Sequence, residues 1–106
     1  MGLIWKIGTG EDHELTRFAQ EVAERSRIEV LRRLVGLSPD MSNAEARGYI
    51  RTRAAVVVHR EVNLWMHRQQ HLQPADRSKL IELATELLVD HFLSIGINHA
   101  DQRYAA

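Results

Sequence analysis

From Ser42 to Pro74 the chain runs without a proline, and inside that span stand three consecutive valines at 56–58. The stretch "TRAAVVVHREVNLWMHRQQH", residues 52–71, decides the fold class. A strand would need alternation of polar and apolar residues, bounded closely by turn residues. Here the nearest punctuation is Ser42 on one side and Pro74 on the other. Ala44, Ala46, Ala54, Ala55, Leu64 and Met66 between them all suit a helix. Valine in a helix costs at most roughly 0.7 kcal/mol relative to alanine. The stretch therefore reads as one long helix, and the chain as all-α.

The remaining punctuation predicts two more helices. Thr9 suits an N-cap, with Glu11, Asp12 and Glu14 favourably placed in the first turn. Leu15, Phe18, Ala19, Val22, Ala23, Val30 and Leu34 then recur at 3-4 spacing, and Gly36 is a C-terminal stop. Ser42 and Glu45 form a capping box for the second helix. Pro74 suits the first turn of a third, which carries Leu80, Leu83, Ala84, Leu87, Leu88, Phe92 and Ile95 before Gly96 closes it. The expected architecture is a single domain over 1–106, an up-down-up bundle of three long helices at about 11–36, 43–70 and 74–95. An apolar N-terminal arm, 1–9, precedes it and a tail, 97–106, follows. A chain of 106 residues is one domain by size.

The second helix is apolar over more of its circumference than one stripe requires. Ala46, Ile50, Ala54, Val57, Val58, Leu64 and Trp65 share one sector, with Ala55, Val62 and Met66 beside it. On the first helix, Ile28, Leu31 and Val35 make a patch away from the core-facing row. A surplus of this kind predicts association, because large apolar patches are uncommon on monomers. The expected interface is Ile28, Leu31, Val35, Ala55, Val58, Val62 and Met66, buried in a homodimer. An exchanged arm through Ile4, Trp5 and Ile7 would add to it.

Two ionisable residues fall on apolar arcs, His91 on the third helix and Glu61 on the second, so both are expected to be buried. Ser26 is the expected hydrogen-bond partner of His91, and an arginine that of Glu61. His67 and His71 stand at i, i+4, a spacing that can chelate a transition metal. Antiparallel packing brings His13 and Asp76 to the same end, giving a candidate metal set of His13, His67, His71 and Asp76. The His-Glu-x-x-His and paired Glu-x-x-His motifs are both absent, so no resident cofactor is expected.

Formal charge is zero, yet unevenly spread. Residues 1–24 carry two basic and five acidic side chains, residues 25–68 nine and four, and residues 69–106 three and five. A basic middle between acidic ends can neutralise itself within one bundle. The competing use of the same charge is an anion-binding stripe through Arg47, Arg51, Arg53 and Arg60, joined by Arg25, Arg32 and Arg33. Duplex nucleic acid is not an expected partner, since such modules show an uncompensated basic surface.

The chain has no cysteine, which excludes thiol nucleophiles and disulfides and fits a reducing cytoplasm. No apolar run is long enough to span a bilayer, and "MGLIWKIGTG" is too short an apolar segment for a secretory leader. The first expectation for function is thus a non-enzymatic, self-associating interaction or regulatory protein. The second is nucleic-acid or anion binding through residues 25–68. The third is a small metal-dependent enzyme at the His13, His67 and His71 end.

Overall fold

A computed structural model describes residues 13–69 and 72–105, with side-chain surroundings for 14–69 and 72–95. Helix α1 spans His13–Arg32, α2 spans Asn43–Arg68 and α3 spans Pro74–Ala105. Each packs against the other two, and among the described residues there is no strand. The expected arm and the Thr9 cap lie outside the described residues, as does the position of His71.

Contacts along the helices fix the up-down-up order. Tyr49 near the start of α2 meets Gly36 just beyond α1, while Trp65 near its end meets Phe18 near the start of α1. Arg77 at the start of α3 donates to Asn63 Oδ1 at 2.8 Å. Thus α1 and α3 run parallel, with α2 antiparallel between them.

The ends of the helices follow local chemistry, with two departures from expectation. The capping box of α2 is present, Glu45 N–H donating to Ser42 Oγ and Ser42 N–H to Glu45 Oε1, each at 3.2 Å. Gln73 N–H donates to Asp76 Oδ2 at 2.9 Å, so Asp76 closes the first turn of α3. Gly36 does not stop α1 in a left-handed conformation. The helix ends at Arg32 and tightens, with Arg33 N–H donating to Val30 O and Leu34 N–H to Leu31 O. Glycine is needed at 36 for a different reason. Its amide donates to Tyr49 Oη at 2.9 Å, and a Cβ there would lie 2.5 Å from the same oxygen. Gly96 likewise fails to close α3, whose backbone stays helical through to Ala105. A glycine in a helix costs about 1 kcal/mol but breaks no hydrogen bond, and no proline follows it.

The core is a column of aliphatic side chains from all three helices. Leu15, Val22 and Val30 come from α1, Ile50, Val57, Val58 and Val62 from α2, and Leu80, Leu88 and Val89 from α3. The width of the apolar arc on α2 finds its cause here. Residues at i, i+4 and i+7 share a helix flank. Val58 and Val62 lie on the flank of Arg51, which reaches α3, whereas Ile50 and Val57 lie on the flank of Arg53 and Arg60, which faces α1. A helix that packs against two neighbours needs a broad arc. Only Val56, of the three valines, is left exposed.

Candidate interaction surface

The expected interface therefore splits. Val58 and Val62 are wholly buried within one chain, and Ala55 and Met66 are half-buried, Met66 against the core. Val58 and Val62 therefore form no free face. The residues of α1 and of the turn after it behave otherwise. Ile28 is 47% exposed, Leu31 51% and Val35 90%. The buried row of α1 is Leu15, Ala19, Val22, Ala23, Ser26 and Val30, and at 100° per residue Ile28 and Leu31 project from the opposite side. Leu64, expected in the core, is instead 51% exposed.

Arg47, Arg51, Arg53 and Arg60 of α2 are each engaged. Arg47 Nη2 lies 3.2 Å from Asp90 Oδ1 and Nη1 lies 3.5 Å from Glu86 Oε1. Arg51 donates through Nε and Nη2 to Glu86 Oε2 at 2.9 and 2.6 Å. Arg60 is hydrogen-bonded to Glu29, whose other oxygen lies 3.2 Å from Arg33. The Arg60 hydrogen bond, with Arg33 in support, holds the Glu29 carboxyl below its ordinary range, and the same bond raises Arg60. Arg53 lies flat on the Tyr49 ring, 3.5 Å from its centroid, and donates to Tyr49 O. Arg25 bridges Glu21 and the face of Trp65. Pairs this exposed add little stability, because water screens them. Their effect is on the field: acids of α1 and α3 cancel the cations of α2.

The two ionisable residues expected in the core are half-buried instead. His91 lies at the seam of α1 and α3, edge-on to Phe92 at 4.9 Å, within the fields of Glu24 and Arg27. Burial, then Arg27, lower its pKa, with Glu24 opposing. The Ser26 hydroxyl donates to Val22 O one turn earlier, at 2.7 Å. That bond satisfies a buried hydroxyl within its own helix. Glu24 and Arg27 pair at 3.5 Å, an i, i+3 spacing legible in the sequence though not read there as part of a histidine cluster.

Of the candidate metal set, His67 is exposed and Asp76 caps α3, while the His13 and His71 side chains lie outside the described residues. Among the described residues no group of three or more His, Cys, Asp or Glu could hold a metal ion. No described helix is long and apolar enough to cross a membrane. Among known proteins, no family model, no curated protein and no solved structure matches the chain.

Proposed function

We propose that this chain is a non-enzymatic interaction protein that self-associates through the outer face of α1, in a reducing cytoplasm. The observation that supports the reading is the exposure of Ile28 and Leu31 on one side of α1, whose other side builds the core, with Val35 exposed in the turn just beyond its end. Apolar side chains scattered singly on a surface carry no message, but two a turn apart on one helix face, with a third exposed just past its end, make a contiguous patch. The rival use of the surface, anion binding by the α2 arginines, is weakened by their partners. Arg47 and Arg51 share Glu86, and Arg60 is held by Glu29.

Light scattering coupled to size exclusion tests the proposal across a concentration series. We expect a mass of two chains at micromolar concentration and above. Leu31→Glu should reduce it to one chain with helicity unchanged, since the residue is outside the core. A single-chain mass for the unaltered protein at all concentrations sinks the reading.

A further inference from the structure

We draw no further inference here: the strongest candidate, the cluster of Glu24, Arg27 and His91 at the seam of α1 and α3, rests only on the lowered pKa of its histidine.

Discussion

At the residue scale, two side chains act in ways that position alone does not reveal. Gly36 and Tyr49 lock the segment after α1 onto α2, with the Tyr49 ring sandwiched by the Arg53 guanidinium. Gly36→Ala should destabilise by up to about 1 kcal/mol, since the new methyl displaces the Tyr49 hydroxyl and breaks its hydrogen bond with the exposed amide. In a Tyr49→Phe background, where the hydroxyl is already gone, the same change should cost clearly less. Equal costs in a denaturant double-mutant cycle would show that the two groups are not coupled. His91 gives a pH signature. Its folded pKa is lowered, chiefly by burial and then by Arg27, so the unfolded chain takes up a proton first as pH falls. Stability is complete above the unfolded value, near 6.5, and is lost as pH falls through the folded value. Glu29, whose carboxyl is held low by Arg60, acts only at more acid pH. Between pH 7 and pH 5, His91→Gln should therefore lose less stability than the unaltered chain, measured by chemical denaturation at each pH. Identical slopes would remove His91 as the cause.

At the element scale, the distinction between α1 and α2 is a distinction between surface and core, and it reverses one expectation from the sequence. Val62 is wholly buried. Val62→Glu buries an unpaired carboxylate and should cost about 4 kcal/mol or more, a large part of the 5–15 kcal/mol typical of a domain. It should lose helicity cooperatively by circular dichroism, whereas Leu31→Glu should stay within about 0.5 kcal/mol of the parent. Retained structure in Val62→Glu would mean that this flank of α2 is free after all. The three helices themselves were legible because each has its own punctuation: Ser42 with Glu45, Pro74, and 3-4 spacing throughout. The valine run was legible as helix for the same reason. Which part of an apolar surplus is buried was not, because a helical wheel shows how broad an arc is and not how many neighbours cover it. Gly36 and Gly96 were misread together, since glycine marks a stop only where the backbone turns left-handed. Tertiary contact decided the first, with Tyr49 filling the space a Cβ would need. The exposed strip at Ile28, Leu31 and Val35 was readable because α1 already has a complete buried row without it.

At the scale of the whole molecule, helix order decides which of the balanced charges meet. The cationic helix sits between two helices whose acids reach across to it: Glu29 from α1, Glu86 and Asp90 from α3. A cation already hydrogen-bonded to a carboxylate must break that bond before it can neutralise a phosphate, so it releases few counterions from DNA. The unaltered protein should bind duplex DNA more weakly than micromolar at physiological salt, with a shallow dependence on salt. Removing the acids should expose what they conceal. In a Glu86→Gln, Asp90→Asn double variant, Arg47 and Arg51 lose their partners, and each becomes available to a phosphate. Affinity at low salt should rise, and the slope of log K against log salt should steepen by about 2, near 0.9 for each phosphate newly contacted. A fluorescence-anisotropy titration at several salt concentrations measures both quantities. Micromolar binding with a steep slope in the unaltered protein would mean that the pairs open readily toward phosphate, and the basic middle would then be a binding surface. A variant that binds no better than its parent would locate the barrier elsewhere than in the acids of α3.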